Sequence, residues 1–388
     1  MLVEVILGNK AIANSHIDVI SITESIYSPI VTGIIQFNDT GFLDDEFTFS
    51  DNLNLNILLH DDVLEKRREL SFMVYGIDIT QPDLKSYIHS KKQILFASYW
   101  IFPMNTHDYF VFDNRTSIEM LRVMGNRYGF ELEKVNDSVS NKWTYLTPGT
   151  YSNLQNIDYI LNNTVTDDGK GGFLMFPNMY TNMLNVLTYS DLYDGKIGNY
   201  DETLLYDTGN DGYIGSVSEI FAKKEYNLLK LINAFNTISY GYDIENHEII
   251  SDSKNLYDSL RSDKNIIGDI PISKDIINKY KNITVGSNGS DDLISTKKED
   301  YYDFIFNQYS LELTVTGDYN RRVGMTADSI LINMGDGSSA TSIDVMRSGK
   351  FIISDIEHNL YGNNYAQKCK LIRPGYNSVD KNVVKFEG

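Results

Sequence analysis

The chain has 388 residues, 42% of them hydrophobic and 22% charged, and carries a formal net charge of -19 at pH 7. That length exceeds one ordinary core and implies two to four domains, and the composition is that of a globular protein rather than a disordered one. Without a basic stripe, phosphate-neutralising nucleic-acid binding is excluded; the surplus carboxylates either keep a concentrated protein soluble or line a passage that a polyanion crosses without sticking.

The N-terminal MLVEVILGNK has an acidic Glu4 and no basic start, so it reads as a first strand and not as a signal peptide. Short runs rich in Ile, Val, Leu and Phe predict strands at Val3–Leu7, His16–Ser21, Gly33–Phe37, Leu53–Leu59, Ser71–Ile79 and Gln93–Ala97. Period-two alternation is clearest at Leu53-Asn54-Leu55-Asn56-Ile57. Turn chemistry separates the runs at Asn38–Gly41, His60–Asp62 and Gln81–Asp83. Short strands at regular spacing predict a β-barrel or sandwich over residues 1–110.

The pattern then changes. Thr116 and Glu119 frame a capping box, and Ile118, Leu121, Met124 and Tyr128 follow at helical spacing up to Gly129. A second helix is predicted over Ser152–Asn162, with Leu154, Ile157, Ile160 and Leu161 on one face. Strands follow at Phe173–Phe176 and Leu184–Tyr189. Residues 111–217 are therefore a small α/β module, whose last part, from 201, is an Asp/Gly/Tyr-rich connector. Ser218–Ala234 reads as helical or mixed, and Phe235–Ile244 as a strand. Strands resume at Ser310–Thr316, Ser329–Met334, Lys350–Ile353 and Cys369–Ile372. Residues 218–248 and 307–375 are assigned to a second barrel. The polar stretch 249–306 and the tail 376–388 are a peripheral insertion and terminus.

The late strands replay the early ones. Thr32–Phe37, Leu53–Leu58, Ser71–Asp78 and Lys92–Phe96 match Leu311–Thr316, Ser329–Met334, Lys350–Glu357 and Lys368–Ile372 in order, length and spacing. The expected fold is mainly β (α+β): two similar antiparallel barrels with smaller α/β and loop-rich modules inserted. Two copies per subunit let a three-fold ring offer six quasi-equivalent positions.

No catalytic constellation emerges. The stretch from Asp207 to Glu219 imitates a calcium loop, with Asp207 and Asp211 at positions one and five and Gly212 at six. Position three is Gly209, and the closing carboxylate, Glu219, comes one residue late, so the stretch reads as an acidic turn. Asp207, Asp211 and Glu219 are the only metal candidates, and no cofactor is expected. The six histidines are scattered, none in an H-x-x-x-H pair. There is no G-x-S-x-G elbow. Cys369, the sole cysteine, excludes an intramolecular disulfide and fits folding in a reducing cytoplasm. Trp100 and Trp143 read as packing residues, and the 27 tyrosines suit large protein–protein surfaces. No apolar run approaches the roughly 18 residues of a membrane span.

Three stretches carry a family resemblance. Gly33–Asp39 looks like an early strand and turn, Thr116–Leu121 like the start of a first helix, and Arg322–Thr326 through Phe351–His358 like a final barrel hairpin. Taken in order, they make the chain similar, over nearly its whole length, to the central baseplate hub family of T-even-type contractile phages; 245–306 and the tail depart from it. The resemblance implies a homotrimeric ring of tube-like barrels with pseudo-six-fold symmetry. It implies a trimeric central spike on one face and the tail tube or a tube-initiator protein on the other, with baseplate wedge proteins around it. Tape-measure protein and DNA would pass through the lumen without specific binding. It further implies no enzymatic activity, no membrane, and a place in the tail baseplate of a virion assembled in the host cytoplasm. Asp39 and Asp44 are expected at a ring interface or in the lumen. The alternatives are the hub of a related contractile injection system, of the bacteriocin or secretion type, and a carbohydrate-active tail protein.

Overall fold

A computed structural model describes residues 2–8, 10–12, 16–39, 53–61, 66–81, 90–168, 171–207, 217–224, 236–243, 247–255, 282–285, 302–303, 305–334, 341–343, 348–362 and 364–374. The chain is mainly β. The first part supplies β1 (Leu2–Leu7), β2 (Lys10–Ile12), β3 (Ile17–Ser25), β4 (Thr32–Asp39), β5 (Asn54–Asp61), β6 (Lys66–Gln81) and β7 (Ser90–Ala97). A mixed region follows: α1 (Ile101–Asn105), β8 (Val111–Thr116), α2 (Ser117–Tyr128), β9 (Leu132–Val135), β10 (Lys142–Leu146), α3 (Asn153–Asn162), β11 (Phe173–Asn178), β12 (Met183–Thr188) and α4 (Tyr189–Tyr193). The remainder is strand: β13 (Leu204–Asp207), β14 (Val217–Lys224), β15 (Asn236–Asp243), β16 (Glu248–Asn255), β17 (Asn282–Val285), β18 (Tyr309–Thr316), β19 (Thr326–Met334), β20 (Thr341–Ile343), β21 (Gly349–Tyr361) and β22 (Asn364–Arg373).

One sheet dominates. Its strands run β14-β18-β22-β21-β3-β4-β7-β6-β5-β1-β2, with β13, β19 and β20 attached at β21. It consists of two halves built alike. In the first, β4 pairs β7, β7 pairs β6 and β6 pairs β5; in the second, β18 pairs β22, β22 pairs β21 and β21 pairs β19, all antiparallel. The irregularities repeat too. The β6–β7 ladder slips between Val74 and Gly76 after Val74 faces Phe96, and the β21–β22 ladder slips between Ile353 and Asp355 after Ile353 faces Leu371. Likewise β3–β4 slips between Ile17 and Val19, and β14–β18 between Val217 and Glu219. A β-bulge turns a strand and sharpens its twist, so these matching bulges bend both halves alike, while the first half adds a further slip between Ile79 and Gln81. The sequence repeat is thus a structural repeat: Gly33 corresponds to Leu311, Val74 to Ile353, and Ile22 to Ala222. The halves differ at their closing strand, since β1 is antiparallel to β5 while β13 runs parallel to β19.

Each half covers its own core. Val5, Leu55, Ile57, Leu70, Phe72, Ile94 and Phe96 belong to the first; Leu311, Leu313, Phe351, Ile352, Ile353 and Leu371 belong to the second. The mixed region has a third core around Trp100, Met120, Leu121, Met124, Ile157 and Ile160. Its helices form where the sequence caps them. Thr116 with Glu119 and Ser152 with Gln155 make reciprocal capping boxes, and Gly129 ends α2 in the left-handed region at φ 82°. Strands β11 and β12 are buried on both faces. Phe173, Met175, Leu184 and Val186 point into the third core, while Leu174, Phe176 and Leu187 point into the second. The mixed region is thereby welded to the second half.

Two expectations change. Residues 218–224 of the stretch read as helical or mixed belong to β14, whose Val217 and Ile220 pack against the second core alongside β18; the rest of that stretch, 225–234, lies outside the described residues. The strand near 235–244, grouped above with the second barrel, pairs instead with β16 and β17 in a separate three-stranded sheet. Strand alternation specifies a strand but not its partner, which is why the sheet was misassigned.

Candidate assembly interface

The two halves meet along one strand pair. Asp355–Leu360 of β21 pairs with Ser25–Ile20 of β3, antiparallel. Strand β21 is long enough to serve two partners, since its first residues, Gly349–Ile352, pair with β19. The cores interlock across the seam: Leu360 of the second half joins the first core, and Ile26 of the first half joins the second.

A buried polar network pins the seam. Glu24 of β3 and His358 of β21 are both almost fully buried, and the His358 Nε2 lies 3.2 Å from the Glu24 Oε1. A carboxylate only accepts, so Nε2 carries the hydrogen on that side. The His358 Nδ1 then accepts from the Tyr365 hydroxyl at 2.7 Å. Burial holds the Tyr365 phenol well above its ordinary pKa, which keeps that donor protonated. The Gln367 amide donates to the Tyr365 hydroxyl at 2.8 Å and to the Asp318 carbonyl at 3.0 Å, and its oxygen accepts from the Arg321 Nη1. The Arg321 Nη2 donates to the Tyr200 hydroxyl at 2.9 Å, and the guanidinium lies over the Tyr200 ring. Tyr200 in turn donates to Asp318 at 2.8 Å. Seam, second half and the exit from the mixed region share one network, and a buried polar group left unpaired is costly, so they hold one another in place.

The opposite face of the sheet at the seam is polar and partly exposed. Ser21, Thr23 and Ser25 of β3 stand beside Asp355 and Glu357 of β21, Lys368 and Lys370 of β22, and Glu312 of β18. The Ser25 hydroxyl donates to Asp355 at 2.6 Å, and the Ser21 hydroxyl to Glu357 at 3.3 Å. Lys370 lies 3.8 Å from Asp355 and Lys368 3.9 Å from Glu312, which leaves Glu357 as surplus negative charge. A lysine beside each carboxylate of a pair is no arrangement for general acid–base work; it makes a solvated, slightly acidic wall.

Asp207 ends β13, and Glu219 is exposed on β14, where its carboxylate accepts from the Thr314 hydroxyl at 3.5 Å. Asp211 lies outside the described residues. Among the described residues, no three His, Cys, Asp or Glu side chains are grouped to hold an ion. Asp39 ends β4, and Asp44 lies outside the described residues. Trp100 is buried and donates to the Pro29 carbonyl at 2.8 Å; Trp143 donates to the Ser117 hydroxyl at 3.1 Å and packs with Tyr145 and Tyr159. Both are packing residues. Sequence reasoning missed Glu24, His358, Gln367 and Arg321. The one local signal was His358 at an inward position of an alternating strand, in step with Ile356 and Leu360.

A mainly β chain with two like half-sheets joined through an α/β brace has the fold of phage tail proteins. The tail protein from Neisseria meningitidis MC58 superposes with a TM-score of 0.61 at 10% identity, covering 96% of this chain and 97% of that one. The 43 kDa tail protein of prophage MuSo2 from Shewanella oneidensis gives 0.56 at 12%, covering 96% of each. A chain of the Francisella PdpA–VgrG complex gives 0.50 at 15%, covering 97% of this chain and 59% of that one. At these identities the likeness is one of fold. No family model and no curated protein sequence matches the chain.

Proposed function

We propose that the chain is a non-catalytic structural ring protein of a phage tail baseplate: a hub that joins the tail tube to a trimeric central spike and lets the genome pass. The observation that carries this reading is the duplication. One chain holds two half-sheets of like curvature, already joined edge to edge, so three chains supply six similar wall segments. Such a ring presents six-fold symmetry to a tube and three-fold symmetry to a spike. The polar seam face, with its surplus carboxylate, suits a lumen along which DNA and tape-measure protein slide. The tail-protein fold agrees with this role, and nothing in the site groups residues for catalysis. The hub of a secretion-type injection machine is the second reading, favoured by the likeness to a chain of the PdpA–VgrG complex. Light scattering on the purified protein, alone and with its spike partner, is the test. The expected mass is three times 44.2 kDa, or a three-to-three complex with the spike. A stable monomer under both conditions would refute the ring.

A further inference from the structure

The seam inside the chain uses one edge of each half and, among the described residues, leaves one edge of each unpaired. The first half contributes the outer edge of β3; its counterpart in the second half, β14, is the terminal strand of the large sheet. The second half contributes the outer edge of β21 from Asp355 onward; its counterpart is β6 from Gly76 onward. Among the described residues, β6 pairs with β5 only through Lys66–Met73, and nothing pairs its outer edge beyond Val74. These edges are therefore the two sides of a second seam, and they belong to different halves of the same chain.

Burial marks the same places. Ile22, covered at the internal seam, is 1% exposed, while its counterpart Ala222 is exposed. Ile356 is fully buried, while its counterpart Ile77 is only partly so. Beside Ala222, Phe221 is 62% exposed on an open strand eight residues long. A long edge strand carrying exposed apolar side chains is a template for another strand, and soluble proteins ordinarily blunt such edges.

We infer that β14 of one copy pairs antiparallel with the Gly76–Ile79 stretch of β6 in the next copy, repeating the internal seam between subunits. The repeat fixes the register. In the internal seam His358 faces Ile22, Glu357 faces Thr23 and Ile356 faces Glu24. Carried through the correspondence of the halves, Ile79 faces Ala222, Asp78 faces Lys223 and Ile77 faces Lys224. The contact is head to tail, and a head-to-tail contact that meets itself closes a ring. This inference rests on the ring reading above and names the surface that builds it.

Paired cysteines test the register. The variants are Ile79→Cys with Ala222→Cys, and Asp78→Cys with Lys223→Cys, each placed in the full chain. Adjacent pairs in an antiparallel ladder alternate between wide and narrow, so one of the two suits a disulfide. The native Cys369 is buried and does not compete. Mild oxidation is expected to give a covalent ladder ending at the ring. Ile77→Cys with Ala222→Cys, two residues out of register, should give about tenfold less, because diagonal neighbours stand too far apart to bond. Circular dichroism of the reduced variants confirms that each still folds. An oligomer that cross-links equally in and out of register, or not at all, would overturn this junction and leave the ring standing. A monomer that forms no cross-link would overturn both, and an in-register ladder that closes at another number would keep the junction and overturn the trimer.

Discussion

The two halves solve one packing problem in two ways, and that difference can be measured. At equivalent cross-strand positions the first half has Gly33 opposite Phe96, and the second has Leu311 opposite Leu371. The Phe96 ring fills the space that the Leu311 side chain fills in the other copy. A Cβ built on Gly33 would lie 2.3 Å from the Phe96 Cζ and 2.6 Å from the Ser21 carbonyl oxygen. The ring can shift, but the carbonyl belongs to β3, the strand that forms the seam. Gly33→Ala is therefore expected at the upper end of the usual overpacking cost, about 3 kcal/mol. Phe96→Leu leaves a partial cavity and should cost about 1–2 kcal/mol, less than truncation to alanine. Together they should cost at least about 1 kcal/mol less than their sum, because the smaller side chain admits the new methyl. Urea unfolding of the four proteins, followed by far-UV circular dichroism, gives the interaction energy. Costs that add to within about 0.5 kcal/mol would refute the exchange of volume between the two positions.

Two further perturbations probe the network and the core. Arg321→Met keeps the length of the side chain but removes the charged donors to the Gln367 amide oxygen, the Tyr200 hydroxyl and the Thr316 carbonyl, and should destabilise the protein by about 1–3 kcal/mol; an unchanged urea midpoint would show that the network does not brace the seam. Burial pushes the Cys369 thiol up to about 11. In the unfolded chain it ionises near 8.5, so above that pH the unfolded state binds fewer protons, and stability falls as pH rises towards 11 by up to about 1.4 kcal/mol per unit. Comparing the pH slope with that of Cys369→Ala isolates the thiol from the tyrosines. A thiol reagent at pH 8 should label Cys369 rapidly in urea and slowly in the native protein, and equal rates would contradict its burial.

How much was legible in the sequence depended on range. The cap at Thr116 is local chemistry, three residues long, and was readable to the residue, and the helix read from Ser152 begins one residue later with Ser152 as its cap. Most strands of the two halves were readable because one face of each is buried and the alternation survives, but β13 and β14 were not. Strand lengths were not readable: β21 runs to Tyr361, well past Ile353, because its outer half is paired by β3 more than three hundred residues away. The same range hid Glu24, His358 and Arg321, whose roles exist only once the seam is closed. The slips at Val74 and Ile353 are properties of a ladder and leave no mark on a single strand. The calcium-like spacing at Asp207–Glu219 runs through residues outside the described ones, and Asp207 and Glu219 lie on strands with different partners.

The divergence between the halves follows the demands on each. What both retain is geometry: strand order, the two slips, and edges that fit one another. What they exchange is composition, such as Gly33 and Phe96 for two leucines. The internal seam is made once, during folding of a single chain, and can bury Glu24 and His358 because their partners are supplied in the same act. A seam between subunits must first survive as two open edges in water. A charged pair buried at every junction would add a desolvation cost to each assembly step, whereas the strand ladder and modest apolar contact of Ile77, Phe221 and Ala222 add little. The seam that folds is therefore the one that carries buried chemistry, and the seam that assembles relies on backbone pairing and register.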